Sequence, residues 1–218
     1  MILTCSRVVS EDIELLGQSP DPKGPVLVRH SGCRSSEKLF IALKAGGHLP
    51  DNQEYLNRIR NLVGREDPLA IQAGTASKIA GLIANLPELR LRGRPSPQKW
   101  AIIEIIAHLA EDELVASWRY RQMLESSGCV LAGFDQDKWA AYGRYDEWDA
   151  EDAVVMFSLL RDANLRLLRR LNDEAWAQFG VHAERGPLTI RDLATHMAGH
   201  DLNHVQQIRT LVNGSAET

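Results

Sequence analysis

Long segments with helical periodicity dominate the chain from about residue 51 onward and restrict its fold to helical architectures. In each segment apolar residues recur every three or four positions, which is the pattern of a helix with one buried face. The sequence shows no strand alternation of useful length and no internal repeat. Four such helices joined by two long connections predict an all-α, antiparallel four-helix bundle.

Capping residues and glycines mark the predicted ends of these helices. Residues that accept hydrogen bonds from a first helical turn precede three of the long segments, and two of the three are followed by proline, which suits a first helical position. The last helix is expected to end at Gly214. The predicted starts are Asp67 with Pro68, Ser96 with Pro97, and Thr189.

Residues 1–50 differ from the rest of the chain because they are rich in Gly, Pro and Ser and lack a helical or strand period. They are predicted to form an irregular, loosely ordered N-terminal extension, and residues 51–218 to form the bundle domain. An alternative is that translation begins near Pro50 and that the preceding residues come from an upstream start codon.

Composition excludes several classes of function. The net charge is -4 with mixed signs, which gives no electrostatic footprint for nucleic acid. No run approaches the roughly 18 apolar residues that span a bilayer, and the N-terminus lacks the pattern of a signal peptide. The three cysteines, Cys5, Cys33 and Cys129, are far apart, which fits a reducing cytoplasm and excludes a disulfide framework or a cysteine zinc site.

The sequence HMAGHDLNH places His196, His200 and His204 four residues apart on the last predicted helix. Neighbours at this spacing differ by about 40° in azimuth and about 6 Å in rise, so either adjacent pair can converge on one metal ion. His196 and His204 are about 12 Å apart along the axis, so one ion can take only one pair. A third ligand must come from another helix.

His108 is the only other histidine within a long predicted helix. Alone on an apolar face it would be read as a packed core histidine. Together with a histidine pair on a facing helix it completes a three-histidine site with open coordination positions, which is typical of catalytic or substrate-binding metal sites. Neutral imidazoles suit zinc, nickel, iron or copper.

Two stretches, WAIIEIIAHLAEDE and LTIRDLATHMAGHDLNHVQQI, resemble the DinB-like four-helix superfamily. The shared pattern is a Trp, a helix with His-Leu followed by acids, and a late helix with His-Asp-x-x-His and Gln-Ile. The resemblance covers about residues 65–213 and leaves 1–50 unmatched. It implies a divalent metal ion, with zinc, nickel or iron as the candidates, held by His108, His200 and His204, and it leaves His196 as a packed histidine.

Carboxylates beside His108 are candidates for further roles at such a site. Glu111 and Asp112 follow His108 by three and four residues and lie on its face, whereas Glu104 precedes it by four. Each could accept a hydrogen bond from an imidazole, act as a general base or remain solvated. We take Glu111 as the first catalytic candidate.

Asp135 and Asp137 lie on the connection that could cover the metal, and Asp135 is the second catalytic candidate. Asp201 adjoins His200 but points about 100° away from it, so a salt bridge or cap is expected. Arg161 and Arg185 are expected on solvated faces, with binding of an anionic substrate as the less favoured interpretation. The five tryptophans are expected to pack in the core or against helices.

The resemblance implies two chemistries on a small molecule. One is metal-dependent hydrolysis, and the other is transfer of a low-molecular-weight thiol cosubstrate, such as bacillithiol or mycothiol, to an electrophile. A homodimer is implied as well. The alternative is a non-catalytic, metal-containing bundle that binds a small molecule or serves as a stress-related dimer. Ferritin-like di-iron chemistry is excluded because no second Glu-x-x-His pair is present.

Overall fold

The computed structural model describes residues 50–214, with side chains from Glu54 onward, and two short strands nearer the N-terminus. These strands, Ile13–Leu16 (β1) and Leu27–His30 (β2), pair antiparallel and were not predicted. The chain divides into two units, Met1–Leu49 and Pro50–Thr218. The irregular character predicted for residues 1–50 falls mainly outside the described residues. It stays a prediction, as does the domain boundary.

Residues 50–214 are mostly helical. The four long helices that form the bundle are α2 (Pro68–Ile83), α4 (Ile102–Glu125), α6 (Ala150–Leu168) and α8 (Ile190–Asn213). Shorter helices precede or connect them: α1 (Pro50–Val63), α3 (Glu88–Arg92), α5 (Gln136–Tyr142) and α7 (Asp173–Trp176). No helix within the described residues is long and apolar enough to cross a membrane.

The predicted all-α four-helix bundle is confirmed. Its packed pairs are α2 with α6, α6 with α4, α4 with α8, and α8 with α2. Helices α2 and α4, and likewise α6 and α8, are consecutive long helices that do not pack as close neighbours. The chain therefore crosses the bundle between them.

The centre of the bundle is apolar and receives side chains from all four long helices. Ile79, Ile105, Phe157 and Ile208 come from α2, α4, α6 and α8 respectively, and each is fully buried. Burying side chains of this size is worth roughly 1.5–3 kcal/mol each. This core fixes the bundle on which the polar groups described below are mounted.

The predicted start of α4 at Pro97 is wrong, although the starts of α2 and α8 are confirmed. Helix α4 begins at Ile102, and Ser96 lies in a turn in which its carbonyl accepts a hydrogen bond from the Lys99 amide. The Glu104 carboxylate accepts a 2.8 Å bond from the Ala101 amide and pairs with Arg94. An acidic side chain at the third helical position therefore caps this helix instead of a serine.

The two long connections contain a small sheet that the sequence did not predict. Its strands are Cys129–Leu131 (β3), Phe179–His182 (β4) and Gly186–Thr189 (β5). Strand β3 pairs parallel to β4, and β4 pairs antiparallel to β5. Each strand has only three or four residues, which is too short for an alternating pattern to show in the sequence. The sheet ties the two connections to each other at one side of the bundle.

Helix α1 packs directly against α8 at Gly199. A β-carbon added at Gly199 would lie 2.3 Å from the Ile59 carbonyl oxygen. The absence of a side chain at this position thus permits the close approach of α1 to the histidine-bearing helix. Gly81 in α2 offers a contrast, because a β-carbon added there would meet nothing within 4 Å.

We predict opposite effects of alanine at these two glycines. Gly199→Ala should lower the free energy of unfolding by about 1–3 kcal/mol because it overpacks the α1–α8 contact. Gly81→Ala should raise it by about 0.5–1 kcal/mol because alanine favours an exposed helix. Urea unfolding with chelator present measures both. Equal effects in the two variants would contradict the close packing of α1 on α8.

Candidate metal centre

Three histidines from two helices meet inside the bundle. His108 lies on α4, and His200 and His204 lie one turn apart on α8. The Nε2 atom of His200 is 3.2 Å from Nε2 of His108 and 3.0 Å from Nε2 of His204. All three side chains are buried. The structure therefore brings together the three histidines that the resemblance implied.

The outer nitrogens of the α8 pair face acceptors. Nδ1 of His204 is 2.9 Å from Oε1 of Gln207 and donates to it, so the lone pair of this ring lies on Nε2. Nδ1 of His200 lies 3.6 Å from Oδ2 of Asp112 and has no hydrogen-bond partner within the described residues. A proton on Nδ1 of His200 faces that carboxylate, whereas a lone pair there would be repelled by it.

The converging Nε2 atoms fit a cation better than they fit one another. With protons on the outer nitrogens, Nε2 lone pairs of His200 and His204 face each other at 3.0 Å. Nitrogen ligands about 2.0–2.1 Å from a tetrahedral zinc ion lie about 3.3–3.4 Å apart, close to the observed spacing. The donor atoms of all three residues lie within 4.8 Å of one another.

The environment keeps these rings neutral. Burial is the largest cause that lowers the pKa of all three, to about 3 for His204 and well below the usual range for His200. Neighbouring imidazoles lower the values of the α8 pair further. Metal ligation requires the neutral form of histidine, so the site holds its ligands in that form at neutral pH.

The carboxylates predicted beside His108 have separate positions. Glu111 accepts a 2.5 Å hydrogen bond from the Tyr145 hydroxyl. Asp112 is the carboxylate near His200. Glu104 caps α4 and does not contact His108 among its described bonds. The sequence predicted that all three carboxylates lie near His108. The structure shows that Glu104 caps α4 and that Asp112 lies beside a histidine of the cluster.

Asp135 and Asp137 lie at the start of α5. Asp135 is exposed; its carboxylate accepts a 3.1 Å bond from the Lys138 amide and pairs with the Lys138 ammonium. These bonds lower the pKa of Asp135 and describe a helix cap. Asp137, in contrast, acts electrostatically on His108, because its charge raises the pKa that burial lowers. The described contacts of Asp135 are with Lys138, so they do not support the catalytic role predicted for Asp135.

His196 lies beside the cluster without joining it. Its ring stacks on that of His200 with a centroid distance of 6.0 Å and an interplanar angle of 26°. Burial is the largest cause that lowers its pKa to about 3. Trp100 packs on the other side of the site, with its ring 5.0 Å from that of His108. These neighbours hold the imidazoles in position.

Arg161 was expected on a solvated face, and that expectation is wrong. Its guanidinium is fully buried, pairs with Asp201, and donates a 2.9 Å bond to Glu113. It also donates to the carbonyl of Gln72 at 3.2 Å. Thr75 donates to Asp201 at 2.9 Å. One ionic network therefore joins α2, α4, α6 and α8.

The network explains how one charge is tolerated in the core. Burial by itself would lower the pKa of Arg161, but Asp201 and Glu113 raise it above its ordinary value. Asn164 donates a further 2.9 Å bond to Glu113. The expectation that Asp201 forms a salt bridge is confirmed. Since Asp201 follows His200 directly, the network also fixes the rotation of α8 at the histidines.

Trp118, expected to be packed, is instead mostly exposed.

Three polar residues, Arg119, Tyr145 and His182, were not singled out from the sequence, and a fourth, Arg185, was assigned to a different environment. Arg119 follows His108 by eleven residues, and this spacing in the sequence predicts that both residues lie on the same helix face. Tyr145 and His182 come from the connections, whose path has no sequence signal. Arg185, expected to be solvated, is partly buried.

The fold and the cluster together define a class: a helical bundle with three convergent histidines in its interior. The model of the DinB superfamily matches residues 73–208. The chain belongs to that superfamily, which confirms the family suggested by the two histidine-bearing stretches.

Two relatives carry names that refer to metal. A protein of Oceanobacillus iheyensis named "putative metal-dependent hydrolase" is 23% identical over 117 residues, which are 54% of this chain and 67% of the relative. The solved structure of YfiT from Bacillus subtilis, described as "a probable metal-dependent hydrolase with an unusual four-helix bundle topology", aligns with a TM-score of 0.65. Its sequence is 15% identical, and the alignment covers 69% of this chain and 87% of YfiT.

We predict that the buried network is worth far more than a surface ion pair. Asp201→Asn should lower the free energy of unfolding by about 3–5 kcal/mol because it leaves Arg161 without its main counter-charge. The matched control is Arg144→Gln, which removes the exposed Arg144–Glu147 pair and should cost less than about 1 kcal/mol.

Urea unfolding with a chelator present measures both losses without a contribution from bound metal. A loss in Asp201→Asn no larger than that of the control would contradict a structural role for the network.

Proposed function

We propose that His108, His200 and His204 bind one divalent metal ion and that the protein is a metal-dependent hydrolase of a small molecule. The observation that carries this proposal is the convergence of three buried Nε2 atoms, two of them at 3.0 and 3.2 Å from the third. The names of the two relatives support hydrolysis as the chemistry.

Whichever nitrogen of His200 carries the proton, the lone pair on the other nitrogen faces an electron-rich atom. A proton on Nε2 of His200 could bond one neighbouring ring, but the Nδ1 lone pair would then face the Asp112 carboxylate at 3.6 Å. A proton on Nδ1 leaves the Nε2 lone pairs facing one another. A cation among the Nε2 atoms removes both conflicts, and a packed apolar core would not need this arrangement.

His108, His200 and His204 would hold the divalent ion, which when bound would supply polarisation of a substrate carbonyl and a nucleophile at neutral pH. The protein residues then have separate tasks. The outer nitrogen of His200 faces the Asp112 carboxylate at 3.6 Å, and the outer nitrogen of His204 donates to Gln207 at 2.9 Å, which orients both rings. Trp100 packs against the His108 ring at an interplanar angle of 56° and so restricts the movement of that ring.

We assign Glu111 as the general base of this proposal. It lies one turn beyond His108, and the Tyr145 hydroxyl donates to it and so fixes its carboxylate. Burial, followed by the bond to Glu111, raises the pKa of Tyr145, so the phenol keeps its proton and remains a donor. The catalytic role of Asp135 stays a prediction, since its described bonds are those of a helix cap.

The central prediction concerns metal content. Protein purified without chelator or histidine tag should contain about one divalent ion per chain. His108→Ala, His200→Ala and His204→Ala should each lose it, whereas His196→Ala, the control one turn away, should keep it. Elemental analysis measures the content, and circular dichroism verifies that each variant is folded.

Three results would contradict this proposal. Wild-type protein that binds no metal after reconstitution would leave the histidines as packed core residues. Loss of metal in His196→Ala but not in His204→Ala would assign the ion to the other histidine pair. Metal without turnover of small esters and amides would favour the non-catalytic, small-molecule-binding bundle.

Glu111→Gln should lower kcat by about 100-fold or more on an ester or amide that the metal-loaded protein hydrolyses, because the base is lost. Its metal content should not change. The matched control is Glu125→Gln at the exposed end of the same helix, which should leave kcat unchanged. Unaltered kcat in Glu111→Gln would exclude this residue as the base.

Thiol transfer, the other chemistry that the resemblance implies, would use the same three ligands. A requirement for a low-molecular-weight thiol in the turnover of an electrophile would assign it in place of hydrolysis. The homodimer also stays a proposal, supported by exposed apolar pairs at helical spacing on two packed helices: Leu114 with Trp118, and Val155 with Leu159. The cytoplasmic location stays a prediction.

A further inference from the structure

A second group of polar side chains lies beyond the histidines, toward the C-terminal end of α4. Arg119 is on α4, eleven residues after His108, so it lies on the same face about 16 Å further along the axis. His182 ends β4, and Arg185 lies in the turn that leads to β5. The three therefore gather where the small sheet meets the bundle.

The two arginines carry buried donors that have no acceptor. Arg119 is only 8% exposed. Its Nη2 donates to the Ala132 carbonyl at 2.7 Å, but its Nε is buried without a hydrogen-bond partner within the described residues. The Nε of Arg185 is buried and unpartnered in the same sense. Folded proteins pair nearly all such groups, so these two donors are available to an acceptor that the described residues do not supply, such as water or a ligand.

His182 does not satisfy them. The Glu184 amide points to its Nδ1 at 3.2 Å, and Nη2 of Arg119 lies 3.3 Å from its Nε2. A neutral imidazole has a single lone pair, so it can accept from only one of these two donors. The other donor adds to the surplus.

The charge of the group points the same way. Asp112 acts on both Arg119 and Arg185, where its charge opposes the burial that lowers their pKa values. The two guanidinium groups in turn repel each other. Arginine stays charged in proteins, and Asp112 also faces His200. Asp112, which also faces the histidine centre, is therefore the carboxylate that acts on both arginines, and Glu184 acts on Arg185 as well.

We propose that Arg119 and Arg185 bind an oxyanion, the carboxylate or phosphate group of a small molecule, where the small sheet meets the bundle. Guanidinium groups suit this ligand because their paired donors match two oxygens of a carboxylate or phosphate. The proposal names the substrate class of the centre, an anionic small molecule, and in that respect rests on the proposed function. The binding of the oxyanion itself does not.

The test is a titration of uniformly 15N-labelled, metal-free protein with succinate and, separately, with inorganic phosphate, followed through the arginine Nε–H signals. We expect saturable shifts of the Arg119 and Arg185 signals. Arg185→Gln should weaken binding by about ten-fold or more, because a charge-assisted bond is lost. Arg121→Gln, an exposed arginine on the same helix that bonds Ser117, should leave the affinity unchanged.

Arg119→Gln is a second variant, used only if its amide spectrum shows that it is folded. Tighter binding of succinate assigns a carboxylate as the natural group, and tighter binding of phosphate assigns a phosphate. The absence of saturable Nε–H shifts with either anion would overturn the proposal. An equal loss of affinity in Arg121→Gln would overturn it too, because it would indicate non-specific attraction.

Metal content separates this inference from the proposed function. Arg185→Gln should keep its metal, since Arg185 does not contact the three ligands among the described interactions. Oxyanion binding in a protein that takes up no metal would refute the hydrolase proposal and leave the arginine site standing. Full metal content without shifts of either arginine signal would refute the arginine site and leave the hydrolase proposal standing.

Discussion

The rest of the structure depends on one buried charge. The Arg161 guanidinium lies in the core, where an unpaired ion would be too costly to keep. It is held by Asp201 on α8 and by Glu113 on α4, and it donates to the Gln72 carbonyl on α2. These bonds together constrain the rotation and the offset of the four long helices. The apolar core supplies most of the stability, and this network selects the arrangement.

The ionic network also determines the orientation of His200, because Asp201 is the next residue in the chain. Asp201 follows His200, so the rotation that directs Asp201 to Arg161 directs His200 about 100° away, toward His108. The same burial that raises the cost of the ionic network lowers the pKa values of the imidazoles and keeps them neutral. A site for a cation and an anchor for α8 thus occupy adjacent residues that point about 100° apart on one helix.

Sequence reasoning predicted the features that depend on local rules. Helical period, the Asp67 and Thr189 caps and the four-residue spacing of histidines follow from backbone geometry, and each is present in the structure. The choice between the two histidine pairs came from the family resemblance, because both pairs have the same spacing. The predicted start of α4 was wrong because the sequence offers two competing start signals, a serine–proline pair and a glutamate at the third helical position. The glutamate caps the helix in the structure, where it also pairs with Arg94.

Features that depend on long-range contacts had no sequence signal. An arginine that pairs with two acids from other helices looks like an arginine on a solvated face, which is why the role of Arg161 was misassigned. The small sheet and the positions of Arg119, His182 and Arg185 depend on how two irregular connections meet, since each strand is too short for its period to show.

The most direct test of the account is the protonation of the histidine rings. Long-range 1H–15N spectra of the metal-free and metal-loaded protein report which nitrogen of each ring carries the proton and which binds metal. The account predicts protonated Nδ1 on His200 and His204 in both forms, with the Nε2 signals of His108, His200 and His204 shifting when metal is added. A proton on Nε2 of His204, or metal-induced shifts on Nδ1, would contradict it.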